Sequence, residues 1–188
     1  MFTTTSFLTL LTTALALPAP PSTPSPAPAP QPFLGIAIRS ASPIQYAPIN
    51  ATSLAISLLR PTTTYCPSIP NLPCPSNPST LFVGPSSSGT LSLKTSVPGG
   101  QQVYIAADGR ARFTQAHSAD TNGGAVTGFG VAGGALQWRG NDWLACPEGE
   151  EGYAVYAAQG WNRTDAGCLG FRFRVEDAGS AEGAWQYA

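Results

Sequence analysis

The stretch Phe171-Arg172-Phe173-Arg174-Val175-Glu176 alternates apolar and charged side chains over its whole length. Successive side chains of a strand point to opposite faces, so it reads as a strand with Phe171, Phe173 and Val175 inward and the charges outward. The same short, turn-punctuated pattern recurs on the N-terminal side. Val103–Ala107 leads through Asp108-Gly109 into Arg110–Thr114, a hairpin signal because the central residues must accept positive φ. Leu81-Phe82-Val83 and Leu91-Ser92-Leu93 flank a Gly/Pro/Ser loop. Further strand candidates are Leu34–Ile38, Ile44–Tyr46, Leu54–Leu58, Gly128–Val131, Ala135–Trp138, Trp143–Cys146 and Tyr153–Tyr156. Around ten such strands, with no persuasive amphipathic helix, predict an all-β domain: a single antiparallel β-sandwich or a closed β-barrel, with a β-trefoil also open.

Composition agrees. The chain has 188 residues, 20 Gly and 19 Pro, which disfavour helix, and 10% charged residues against roughly 25% in an ordinary soluble domain. A net charge of −1 leaves no electrostatic footprint for nucleic acid or an anionic membrane. One His and no Asp or Glu before Asp108 leave few groups for acid–base chemistry.

Residues 1–16 read as a signal peptide, with an apolar run from Phe7 ending in the small-x-small pattern Ala14-Leu15-Ala16. Residues 17–32 form a Pro-rich spacer that can bury no core and is expected to be disordered and extended. The all-β domain is then expected over 33–178, with 179–188 as a tail that lacks the hydrophobic signal of a lipid anchor. No membrane partner is expected once the signal is cleaved.

Four Cys in an exported chain suggest two disulfides, of three possible connectivities. The local pairing Cys66–Cys74 and Cys146–Cys168 is expected, stabilising by roughly 2.6 and 3.4 kcal/mol on the loop-entropy model. Zinc fails for want of a close Cys-x-x-Cys and a second His, so no metal or cofactor is expected. Asn50-Ala51-Thr52 and Asn162-Arg163-Thr164 fit the N-glycosylation sequon.

Gly128-Phe129-Gly130-Val131-Ala132-Gly133 matches the dinucleotide fingerprint in letters. A further Gly and a strand-like run follow where a helix should begin, so a glycine-rich β-turn is the better reading. A Ser nucleophile lacks its elbow, and His117 sits in a polar Ser/Asp/Asn segment. A glycosidase pair would have to come from Asp142, Asp165, Glu176 or the loop Glu148, Glu150, Glu151, whose clustering reads first as a solvated turn. No catalytic residue is expected. Aromatic side chains are the stronger signal. Trp138 and Trp143 read as core, while Tyr153 and Tyr156 fall on opposite faces of one strand, leaving Tyr153, Tyr156 and Trp161 as candidates for stacking on sugar rings.

Two segments carry a family resemblance. Phe33-Leu34-Gly35-Ile36-Ala37-Ile38-Arg39-Ser40, continued by Ile44-Gln45-Tyr46-Ala47-Pro48-Ile49, resembles the opening strand and the I/V-Q-Y-x-P continuation of the fungal phialide-associated cell wall proteins (PhiA-type), also described as IgE-binding-protein-like. Leu136 to Pro147 resembles their L-x-F-x-G-x-x-x-x-A-C-P segment, and Cys168 with Phe171 to Asp177 resembles the later cysteine and closing strand. The resemblance implies a secreted, cell-wall-associated protein with a structural or adhesive role, linked to development of spore-bearing cells. Its partners would be wall polysaccharide or other wall proteins. Some similar secreted proteins act as elicitors of plant defence, so a secreted effector or elicitor is one alternative, and a polysaccharide-binding or polysaccharide-active protein is the other.

Overall fold

The computed structural model describes residues 1, 31–72, 74–75, 79–149, 152–159 and 167–188. The expected signal peptide and nearly all of the Pro-rich spacer lie outside the described residues. Among the described residues there is no helix. β1 (Pro32–Ile38) is followed by β2 (Ile49–Thr52), β3 (Ala55–Leu58) and the short β4 (Thr64–Tyr65). A meander comes next: β5 (Phe82–Val83), β6 (Leu91–Leu93), β7 (Gln101–Ile105) and β8 (Ala111–Phe113). The hairpin β9 (Phe129–Ala132) and β10 (Ala135–Trp138) leads to β11 (Trp143–Glu148), β12 (Gly152–Ala157), β13 (Leu169–Asp177) and β14 (Gln186–Tyr187).

Strand pairings run β1-β5-β6-β7-β8-β3-β12-β11-β13, and β13 pairs back onto β1 from Phe33 to Ile38. The path returns to its start, so the closed barrel is the architecture adopted. The strands named are antiparallel to their ladder partners, the β9–β10 hairpin extends from β13, and β2 flanks β3. In β13 the alternation is as the sequence predicts, with Phe171 and Phe173 buried and Arg172 and Arg174 exposed.

Turn chemistry explains where the chain reverses. Gly133-Gly134, both at positive φ, joins Ala132 to Ala135, so the fingerprint-like glycines are a hairpin turn. At Asp108-Gly109 only Gly109 takes positive φ. Gly109 N–H donates to the Ala106 carbonyl at 2.8 Å and Ala106 N–H to the Arg110 carbonyl at 2.9 Å, a three-residue loop with a bulge in place of the expected two-residue turn. β2 and β3 turn through Ser53 (φ 53°) and Leu54 (φ 56°), a two-residue reversal without glycine. Its strain, of order 1–2 kcal/mol per residue, is offset by partners: Ser53 N–H donates to the Ala188 carbonyl at 2.8 Å and the Leu54 carbonyl accepts from Phe113 N–H at 3.2 Å. The expected strand Ile44–Tyr46 is instead a turn, because Tyr46 adopts φ 64° while its N–H reaches back to the Ala37 carbonyl at 2.9 Å.

One core fills the barrel. Five rings run through it in sequence: Phe33–Phe82 at 5.6 Å, Phe82–Phe173 at 5.5 Å, Phe173–Trp143 at 5.9 Å and Trp143–Phe129 at 6.4 Å between centroids. Trp143 Nε1 donates to the Leu136 carbonyl at 2.8 Å and Trp138 Nε1 to the Thr127 carbonyl at 3.0 Å, satisfying both indoles. Gly35 belongs to this arrangement, since a Cβ there would lie 2.4 Å from Phe173 Cε1.

Residues 179–188 are not a tail apart from the domain. β14 pairs β4, and Tyr187 is buried, its N–H donating to Gln101 Oε1 at 2.7 Å. Gln101 Nε2 donates to the Tyr187 and Thr114 carbonyls, both at 3.0 Å, and the Tyr187 hydroxyl accepts from Leu81 N–H at 3.0 Å. A polar network of this kind holds only if every member is satisfied, which a two-residue strand at the chain end conceals from sequence reading. Both expected disulfides are present. Cys146–Cys168 ties the middle of β11 to the start of β13, whereas Cys66–Cys74 closes an exposed proline-rich loop.

Gly35→Ala is expected to push Phe173 off its rotamer and lower stability by about 1–3 kcal/mol, read as a drop in the denaturant midpoint. Burial holds the Tyr187 phenol above its ordinary value against smaller opposing effects of backbone hydrogen bonds. The native state then keeps its proton after the unfolded chain has begun to ionise, so stability is complete below about pH 10 and falls as pH rises toward the native value. Tyr187→Phe is expected to flatten that alkaline decline and to cost about 1–3 kcal/mol at neutral pH by orphaning the Leu81 amide, both measurable by urea unfolding across pH.

Candidate functional site

A hollow with polar side chains in its wall sits on the β7–β8 hairpin. Tyr104 and Arg112 face one another across it in direct register. The Tyr104 ring is 6% exposed, because residues 121–125 fold over it: Ile105 and Ala125 exchange backbone hydrogen bonds at 2.9 and 2.8 Å, and Gly124 presses on the ring where a Cβ would come within 2.5 Å of Cδ2. Side chains shape the connecting loop. Ser118 Oγ accepts from Asp120 N–H at 3.1 Å, Asp120 Oδ1 accepts from Asn122 N–H at 2.8 Å, and His117 and Asn122 take positive φ.

Two hollows of about 310 and 210 Å³ share Tyr104, Arg112 and Asn122 as common wall. Asp108, Ala107 and Thr121 line the first, while Leu54, Gln115, Ser118 and Asp120 line the second. The Arg112 guanidinium lies 3.7 Å from the Asp108 carboxylate, half-exposed, which orients it without contributing much stability. The cleft thus offers a guanidinium, two carboxylates, two amides and the Thr121 and Ser118 hydroxyls, beside an aromatic floor. Such a lining suits a ligand rich in hydroxyls.

The sequence candidates fall elsewhere. Tyr153 and Tyr156 do point to opposite faces of β12, but both faces are covered. Tyr153 is half-buried against the main core, and Tyr156, 8% exposed, packs with Cys146, Ala154, Leu144 and Cys168 in a second small cluster. Neither is therefore an open stacking platform. Trp161 and Asn162 lie outside the described residues, as do Glu150, Glu151 and Asp165. Glu148 accepts from Arg60 and Arg110, Asp142 from Gln137 at 3.1 Å, and Glu176 pairs with Arg174. None of these three lines the cleft. Among the described residues no group of His, Cys, Asp and Glu gathers as a metal site. Asn50 sits in β2 with its Nδ2 donating to the Arg60 carbonyl at 2.7 Å, and Thr52 of its sequon is buried, so a glycan there would have to break a formed bond.

The model of the PhiA-like secreted protein family matches residues 33–188, which take in the barrel from Phe33 and the C-terminal β14. The chain belongs to this family. An uncharacterized secreted protein of Arthroderma benhamiae is 33% identical over 156 residues, covering 74% of this chain and 77% of that protein. No solved structure matches. Membership in the PhiA-like family makes this a secreted fungal protein, in agreement with the expectation of export.

For a PhiA-like protein with this β2, Asn50→Gln is expected to leave the intact mass of the secreted product unchanged apart from the substitution itself, checked by mass spectrometry. Loss of a glycan mass would show that Asn50 is modified before β2 pairs.

Proposed function

We propose that this PhiA-like protein is retained in the fungal cell wall and acts there as a structural or adhesive component, during development of spore-bearing cells, by holding neutral polysaccharide without cleaving it. The observation that carries the reading is the Tyr104–Arg112 cleft, whose hydrogen-bonding side chains stand on a barrel hairpin and on a loop that Ser118 and Asp120 shape through bonds to backbone amides. Rigid placement matters because a sugar hydroxyl exchanges water partners for protein partners, and only a preorganised set of groups leaves a surplus. Turnover would require a proton donor and acceptor placed about a bond, and the reading assigns that role to no side chain. Export through the secretory route and the family resemblance support the wall as the place of action.

Purified mature protein is expected to sediment with insoluble glucan or chitin without release of reducing ends. Replacing Arg112 and Asn122 together by Ala should weaken retention about tenfold, the loss of two ordinary hydrogen bonds. Release of reducing ends, abolished by substituting one acidic residue, would overturn the reading. Recovery of the native protein in the culture medium alone, with none in the wall fraction, would favour a soluble effector.

A further inference from the structure

Across the ring from β7–β8, the outer face of the β1–β13 pair carries a second groove, of about 430 Å³. Its base is set by register: Ile38 stands opposite Arg172 and Ile36 opposite Arg174, so these four side chains share the outward face. Tyr46 forms one wall and the Gly133-Gly134 turn another. We propose that this groove binds an anionic saccharide, a pyranose unit bearing a carboxylate or a phosphate. This is a separate site from the Tyr104–Arg112 cleft and does not rest on it.

Three observations converge. Tyr46 is 68% exposed, more open than Tyr65 at 53%. It is held there by φ 64°, a conformation costing a non-glycine residue of order 1–2 kcal/mol, and its N–H and the Ala37 N–H lock the loop to β1. A solvent-facing ring kept in place at that cost, beside the aliphatic Ile38, provides a flat apolar surface for the C–H face of a sugar. Second, the groove is cationic. Arg172 forms no ion pair among the described residues, and Arg39, next in chain to Ile38, forms none either. Glu176 pairs with Arg174 and neutralises part of the charge.

Third, the guanidinia are oriented. Arg172 Nη2 donates to the Gly133 carbonyl at 2.6 Å and Arg39 Nη1 to the Gly170 carbonyl at 2.6 Å, which fixes each planar fork while leaving its other N–H groups free of those bonds. A guanidinium held flat, with donors to spare, matches a carboxylate or phosphate in a way a flexible ammonium does not. In a chain with only nine Lys and Arg, three lie on or beside this face. A neutral glycan would use the tyrosine and leave the charge of the arginines unmatched; free phosphate would match the charge and leave the ring unused. An anionic sugar engages both.

The test is calorimetric titration of the intact secreted protein with a glucuronic acid oligomer, a mannose oligomer bearing phosphate, a neutral glucose oligomer of equal length, and inorganic phosphate. At least one anionic oligomer is expected to bind more tightly than both the neutral oligomer and inorganic phosphate, and the stronger of the two identifies the acidic group. Arg172→Gln with Arg174→Gln is expected to weaken that binding about tenfold or more, and added salt should weaken it further. Tyr46→Ala should weaken binding, and Tyr46→Phe should restore it. Arg172→Lys retains the charge without the fork, and is expected to bind less well than the native protein at an unchanged unfolding midpoint. Substituting Arg112 and Asn122 of the cleft should leave anionic binding intact. Equal affinity for the neutral oligomer, or anionic binding untouched in folded Arg172/Arg174 variants, would overturn the proposal.

Discussion

Five aromatic rings in mutual contact, Phe33, Phe82, Phe173, Trp143 and Phe129, connect β1, β5, β13, β11 and β9 through the barrel interior. Each ring removes about 150–250 Å² from water, and favourable edge and offset geometry adds about 0.5–1.5 kcal/mol per pair. Strands of two to four residues, such as β5 and β9, could not hold their place on ladder hydrogen bonds alone. The rings supply what the ladders lack. Phe33 and Phe173 sit on the two strands whose pairing closes the barrel, so the same contact that fills the interior also seals the sheet. Gly35 is the condition for it, because the space of its missing side chain is occupied by Phe173.

Much of this was legible in the residues. The alternation of β13, and the bounds of β6 and β10, follow from apolar periodicity and the flanking turn residues. β2 was not, because its turn uses Ser53-Leu54 where reading relies on Asn-Gly or Gly-Gly, and the strain is borne by distant partners at Ala188 and Phe113. Ile44–Tyr46 has the composition of a strand, yet one positive φ at Tyr46 turns it outward. The cleft was illegible for a related reason. Period-two reasoning places Tyr104 on a face of the sheet, but only the fold shows that residues 121–125 return to cover it and build walls around it. Tyr156 fails as a platform because a disulfide and Leu144 cover a face that alternation would leave open.

The charged residues are few, and the fold uses several as internal ties. Arg60 and Arg110 converge on Glu148, Arg112 faces Asp108, and the lone Lys94 donates to the Ala181 carbonyl at 2.7 Å near the closing strand. The C-terminal segment is held by backbone and side-chain bonds from β7, from the loop before β4 and from the β2–β3 turn. With Cys146–Cys168 joining two neighbouring strands as well, the surfaces that carry the two grooves rest on a frame with little freedom to adjust, which suits recognition by preformed shape.

The manner in which β1 enters the domain bears on how the protein would respond to tension. The preceding chain joins at Pro32, and from there β1 is laddered to β13 along Phe33–Ile38 and to β5 at Pro32 and Phe33. Ladder hydrogen bonds run perpendicular to the strands, so a pull transmitted along β1 strains many of them sideways together and does not peel them from one end. Forced opening is governed by the rate of crossing the unfolding barrier, and a joint stressed in shear raises that barrier relative to one that unzips. A molecule anchored through its Pro-rich spacer in a stretched polymer mesh would thus meet the force at one of its most strongly laddered strands.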